Sequence, residues 1–247
     1  MRKESELRTR LEAVAADESG FTLIEMSIVL VIIGLLIGGV LKGQELIDST
    51  RLKSVVTQWD AVKAATNGFQ DRYNAMPGDY SQANTVISAN GVAVGDGNGI
   101  IGTAQANGAL FTANGIAGEN LNFWAHLAAG HLVSGVTVGT TANTAQVAAS
   151  GGIMPGRIAN TFWTVIEGTD NADYGVWIRL QVGTGGTGTS DSLTPKQAAE
   201  IERKYDDSSG IAGSIHGSNV GGTACLTAGA YNALVSNKNC SLAFVLQ

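Results

Sequence analysis

Between Phe21 and Leu41 the chain is apolar at almost every position, interrupted only by Glu25 and a few small hydroxyl side chains. As a helix, a run of that length is about enough to cross a ~30 Å hydrocarbon layer. The pattern then changes character without a break. Leu52, Val55, Val56, Trp59, Val62, Phe69 and Tyr73 recur at three- and four-residue steps, while Arg51, Lys53, Asp60, Lys63 and Asp71 fall largely off that stripe. Such spacing predicts an amphipathic helix with one buried face. No proline occurs before Pro77, so both patterns are expected to belong to one helix over 21–73. At 1.5 Å per residue it would be roughly 75–80 Å long. Its first half suits lipid and its second half suits a globular domain.

Asn74-Ala75-Met76-Pro77-Gly78-Asp79 reads as the turn that ends this helix. From there to about Gly118, Gly, Ala, Asn and Thr dominate, which predicts a long loop with short structured pieces. Leu121, Phe123, Trp124 and Leu127 then mark a short helix over Glu119 to Gly130. Thr161 to Ile166 and Tyr174 to Val182 have strand composition, with turn residues between them, and predict an antiparallel hairpin; Leu242 to Leu246 supplies a further strand. Thr194-Pro195-Lys196-Gln197 is a helix start with a cap, a proline in the first turn and a capping-box glutamine. That helix is expected to run through Ala198, Ile201 and Tyr205 and to dissolve at Asp206-Asp207-Ser208-Ser209-Gly210. The remainder, up to the last strand, reads as loop.

Composition narrows the classes. The chain is 44% hydrophobic and 15% charged with 33 glycines, so it is neither a disordered polyelectrolyte nor a multi-span membrane protein. A net charge of −6 and a pI near 5.0 leave no basic footprint for nucleic acid. Cys225 and Cys240 would form one disulfide in an oxidising compartment; two unpaired buried thiols are the alternative.

Candidate chemistry is sparse. Gly183 to Ser190 is glycine- and threonine-rich but lacks the lysine and following helix of a phosphate-binding loop. His126, His131 and His216 show no ligand spacing, and no nucleophile elbow or dinucleotide fingerprint occurs, so no enzyme is expected. Asp96 and Asn98, in Gly95-Asp96-Gly97-Asn98-Gly99, are the one local candidate for a metal. Their alternating oxygens resemble part of a calcium loop, although the downstream glutamate is missing, and a hairpin turn explains the same residues without an ion. No other cofactor is expected.

Glu25 is the residue that most needs explaining, because a carboxylate at membrane depth costs a few kcal/mol and calls for a partner. Gly20-Phe21-Thr22-Leu23-Ile24-Glu25, opening directly into the apolar run, resembles the N-terminus of type IV prepilins and pseudopilins. The resemblance is specific over Gly20 to Leu41 and looser to Asp79. It implies a leader, residues 1–20, that a prepilin peptidase removes between Gly20 and Phe21, with N-methylation of the new Phe21 amine. A secretory signal would instead be cut after its apolar region. The same resemblance implies an α+β fold: a long N-terminal helix over 21–73, membrane-spanning and later filament-core over 21–41, packed on a small antiparallel sheet within a globular head, residues 74–247. The cysteine pair is similar to the disulfide-bounded region of many type IV pilins.

The implied function is that of a structural subunit of a type IV pilus or pilus-like filament, with Glu25 pairing to a neighbour's Phe21 amine. Alternatives are a type II secretion pseudopilin and a minor, tip-located adhesive subunit. Implied partners are further copies of the chain, other pilins, the processing peptidase and methyltransferase, and an assembly platform. The precursor would sit in the bacterial inner membrane, and the assembled form in an extracellular or periplasmic filament. Many type IV pilins carry proline where this chain has Lys42. Gly34, Gly38, Gly39 and Gly43 therefore read equally as close helix packing or as a segment that melts on assembly.

Overall fold

The computed structural model describes residues 20–87, 92–102, 118–139, 151–170, 173–182, 192–219 and 225–247. The Gly183 to Ser190 loop lies outside them, as does the leader before Gly20. Two compact units divide the chain, one ending at Ser49 and one spanning Thr50–Gln247.

The expected single helix is present. Helix α1 runs Leu23–Tyr73, 51 residues without interruption. In the first unit its side chains are exposed up to Asp48, and an 18-residue window has mean hydropathy 2.6 with none of it buried. It is long and apolar enough to cross a membrane. Within the second unit α1 becomes one-sided: Leu52, Val55, Val56, Trp59, Val62, Ala65, Thr66 and Phe69 are buried. Six of these are positions the three- and four-residue spacing marks; Ala65 and Thr66 join them, and Tyr73, also on that stripe, is only half-buried.

Their partner is a four-stranded antiparallel sheet in the order β1-β2-β6-β3. Strands β1 (Thr161–Asp170) and β2 (Asp173–Val182) form the hairpin, with Thr161 opposite Val182 and Val165 opposite Ile178. The last strand, β6 (Cys240–Val245), inserts between β2 and β3 (Ile215–Asn219). Trp59 seals α1 to the sheet: its indole N–H donates to the Val245 carbonyl at 2.9 Å, and its ring lies 5.3 Å from Phe244. Nearby, the Trp163 indole donates to Gln58 Oε1 at 2.8 Å. The architecture is α+β and pilin-like, a long N-terminal helix on a small antiparallel sheet.

The smaller elements follow. Helix α2 (Ala83–Val86) is a single turn within the loop after Pro77. Helix α3 (Glu119–Ala129) buries Phe123, Trp124, His126 and Leu127. Helix α4 (Pro195–Tyr205) begins with the capping box: Gln197 N–H donates to Thr194 Oγ1, and Thr194 N–H to Gln197 Oε1.

The tail departs from the sequence expectation. A loop was expected between α4 and the last strand, yet β3 forms there, followed by a small hairpin of β4 (Leu226–Thr227) and β5 (Ala230–Tyr231). β3 has little strand propensity of its own, reading Ile-His-Gly-Ser-Asn. Pairing with β6 organises it, since a sheet edge supplies hydrogen bonds whatever the side chains are. Cys225 and Cys240 are disulfide-bonded, with Cα atoms 5.1 Å apart, closing the loop that holds β4 and β5.

Candidate functional site

The N-terminal segment carries the site. Helix α1 starts at Leu23, and its first intrahelical bond runs from Met26 N–H to the Thr22 carbonyl at 3.2 Å. Thr22 is therefore the cap and Glu25 sits three residues on. The two close a capping box. Glu25 N–H donates to Thr22 Oγ1 at 3.3 Å, while Thr22 N–H and Thr22 Oγ1–H donate to Glu25 Oε2 at 2.8 and 2.7 Å. Reciprocal bonds of this kind satisfy donors that a helix start otherwise leaves open.

The signal for this was in plain sight as Thr22-Leu23-Ile24-Glu25, the Thr-x-x-Glu pattern ahead of an apolar run. The resemblance to prepilins implies for Glu25 a partner in another chain, whereas within its own chain it already has a structural task. That task engages Oε2 alone. Oε1 accepts no hydrogen bond from the described residues. The carboxylate at the helix N-terminus also faces the positive end of the helix dipole.

Phe21 is largely exposed, and Gly20 precedes it in a non-helical segment with no heavy atom within 4 Å of where a Cβ would stand. Among the described residues nothing covers the Gly20–Phe21 peptide. Gly34, Gly38, Gly39 and Gly43 stand equally clear of neighbours, all inside unbroken helix. Lys42, in the position where many pilins have proline, makes an exposed ion pair with Glu45 at 2.7 Å.

The head holds the remaining candidates. Asp96 comes close to Asp79 and Glu119, one carboxylate oxygen from each lying within 4.8 Å of the others. Every one of their six oxygens already takes a donor. Asp79 accepts from the amides of Gly97, Asn98 and Gly99. Glu119 accepts from Asp96 N–H and Gly102 N–H, both at 2.7 Å. Asp96 accepts from the Asn98 backbone and side-chain amides. Asn98 Oδ1 in turn accepts from Ile100 N–H. The Asp96 and Asn98 oxygens thus serve the backbone of a tight loop over 95–102, with Asp79 and Glu119 as anchors that sequence spacing did not associate with it.

The histidines are separate from one another. His126 is buried, accepting from Gly78 N–H at Nδ1 (2.9 Å) and pairing through Nε2 with the Ala93 carbonyl (2.8 Å). Burial holds its pKa below the usual histidine value, against the Ala93 hydrogen bond and the Asp79 charge, which act the other way. His131 is exposed. His216 is buried on β3 against Trp177.

In comparison with known proteins, residues 16–41 match the family described as the Prokaryotic N-terminal methylation motif. Neither the curated proteins nor the solved structures yield a match. The motif implies processing by a prepilin peptidase, fits a membrane-anchored precursor and points to a structural protein. Residues 16–41, with Gly20, Phe21 and Glu25 inside them, are the prepilin-type cleavage and methylation signal of a protein similar to type IV pilins and pseudopilins.

Proposed function

We propose that the chain is a structural subunit of a type IV pilus or pilus-like filament, cut between Gly20 and Phe21 and assembled through α1. The observation that carries this reading is the methylation motif over 16–41, set on an apolar helix with no buried side chain in its first unit. Apolar surface on that scale needs lipid or a partner, because water does not tolerate it. The membrane serves before assembly, and neighbouring α1 helices serve after it.

Cleavage turns the Phe21 nitrogen into an amine, methylated by the same machinery. An incoming subunit's Glu25 then meets a neighbour's Phe21 amine, and neither charge remains bare in a medium where an unpaired one is costly. The capping box supports a specific version of this step. Oε2 keeps the bonds to Thr22 that hold the helix start, and Oε1 is the oxygen offered across the interface. The helix therefore need not fray for the pair to form, and its register fixes where along the filament axis the pair can occur. The assembled subunit would lie outside the inner membrane, in contact with other pilins and an assembly platform.

Mass spectrometry of the mature protein tests the processing step. A first residue of N-methylated Phe21 is expected, and an N-terminus at Met1 would sink the reading. Shearing filaments from cells tests the assembly step: Glu25→Ala is expected to leave cut, membrane-held protein and no filaments.

A further inference from the structure

A second carboxylate cluster, far along the sequence from the first, is built differently. Glu202 lies in the last turn of α4, Asp206 is the residue that ends the helix, and Asp207 follows. One carboxylate oxygen from each lies within 4.8 Å of the others. Each group is held by one oxygen only. Glu202 Oε2 accepts from Tyr231 Oη–H at 3.3 Å, Asp206 Oδ2 accepts from Ser214 and Ile215 N–H at 2.6 and 2.7 Å, and Asp207 Oδ1 accepts from Ser209 N–H at 2.8 Å. Glu202 Oε1, Asp206 Oδ1 and Asp207 Oδ2 are left without a donor among the described residues. Glu202 is fully buried, and its Oε1 has no hydrogen-bond partner.

Among the described residues no cationic side chain offsets this concentration of carboxylates. The three carboxylates stand at the C-terminal end of a helix, the negative end of its dipole, where cations rather than anions are favoured. Lys204 pairs with Glu200 at 2.5 Å instead, and among the described residues no lysine or arginine pairs with any of the three. The Asp79, Asp96 and Glu119 cluster differs, because N–H donors occupy all six of its oxygens.

We propose that Glu202, Asp206 and Asp207 bind a divalent cation of the hard, oxygen-seeking class, and that calcium fits them. Calcium takes oxygens at about 2.3–2.6 Å, so ligand atoms up to roughly 4.6–5.2 Å apart can share one ion. The oxygens here lie within 4.8 Å of one another, inside the span that one calcium ion bridges, whereas magnesium demands near-ideal octahedral geometry and gives up its water reluctantly, which three carboxylates spread over a helix end and the following residue suit less. The half-exposed Asp206 and exposed Asp207 leave room for water to complete the shell. Glu202 also touches Tyr231, which lies in the loop closed by Cys225 and Cys240, so the ion would tie α4 to the disulfide-bounded segment. With three protein carboxylates, a dissociation constant on the order of 10⁻⁴–10⁻³ M is expected.

The test is calorimetric titration of the full chain in detergent with calcium chloride, then magnesium chloride, alongside thermal melting. One calcium per chain is expected, bound more tightly than magnesium, with a melting temperature several degrees higher at about a hundredfold excess over the dissociation constant. Asp207→Asn keeps the Ser209 bond on the protein surface and is expected to weaken calcium binding at least tenfold without lowering the melting temperature of the ion-free protein. Asp96→Asn, in the other cluster, is expected to titrate as the parent does. Absence of calcium binding, or binding lost in Asp96→Asn and kept in Asp207→Asn, overturns the proposal. So does a Glu202→Gln variant that binds calcium undiminished.

Discussion

Glu25 combines two tasks that substitution can separate. Glutamine keeps a side-chain oxygen able to accept from Thr22 and so preserves the capping box, but it carries no charge for an amine to meet. Glu25→Gln is therefore expected to be processed and inserted normally and to fail at filament formation as completely as Glu25→Ala. Thr22→Ala is the converse: it removes the cap, costing about 1 kcal/mol at the helix start, and leaves the carboxylate in place. Hydrogen exchange at the amides of residues 23–26 should rise in Thr22→Ala, while filament yield falls far less than in Glu25→Gln. Equal filament loss in both would mean that the cap, and not the charge, governs assembly.

His126 makes a second claim at the same scale. Its Nδ1 accepts from Gly78 N–H, so the folded state needs the neutral ring, and burial holds the folded pKa below that of the unfolded chain. The unfolded state then binds more protons at acid pH, and stability rises with pH through that region. The charged group facing the ring is Asp79, and Phe69 stacks on it at 6.0 Å. Stability present at neutral pH is expected to be lost as the pH falls below about 6.5. Melting curves between pH 7 and 5 should show this loss in the parent, and His126→Asn should flatten that part of the profile.

Among the elements, α1 was legible in the sequence from end to end because two patterns, continuous apolar and then three-four, meet without a proline. α3 and α4 were legible from an aromatic stripe and a capping box, and the β1–β2 hairpin from strand composition on either side of turn residues. The sequence could not reveal β3 or its place at the sheet edge. Ile215 to Asn219 has no pattern of its own, and only β6, contributed by residues after Cys225, gives it a ladder. The same holds for the anchors of the 95–102 loop: Asp79 and Glu119 reach it through the fold, and neither lies at a spacing that marks a motif. The Trp59 junction is the element-scale contact most open to test. Trp59→Ala deletes an indole from the α1–sheet interface and leaves the Val245 carbonyl without its donor, which is expected to cost about 3–5 kcal/mol. Trp59→Phe retains most of the packing on Phe244 and should cost well under half as much. Denaturant titration of the two variants followed by far-ultraviolet dichroism reads the difference directly.

For the molecule as a whole, the boundary between its two units falls inside a helix, which is unusual because boundaries ordinarily fall in linkers where few contacts cross. Burial explains it. Among the described residues the first buried hydrophobic side chain is Leu52, and every earlier apolar residue in α1 is exposed. Residues 50–247 consequently contain the whole described core, the sheet that organises it and the disulfide, whereas α1 before Ser49 adds no buried side chain to them. Isolated helices shorter than about 12–15 residues are marginal in water, and in proteins it is mainly packing that holds a helix. The stretch from Thr50 to Tyr73 meets both conditions, being longer than that and pinned through Trp59 and Phe69. A fragment comprising residues 50–247 is expected to fold as a soluble monomer with a cooperative thermal transition within a few degrees of that of the detergent-solubilised parent, and to lack membrane association and filament formation. Size-exclusion chromatography, dichroism and vesicle co-sedimentation measure these separately. A fragment that is unfolded, or one that aggregates until detergent is added, would show that the apolar half of α1 is required by the head's own fold and not only by membrane and neighbours.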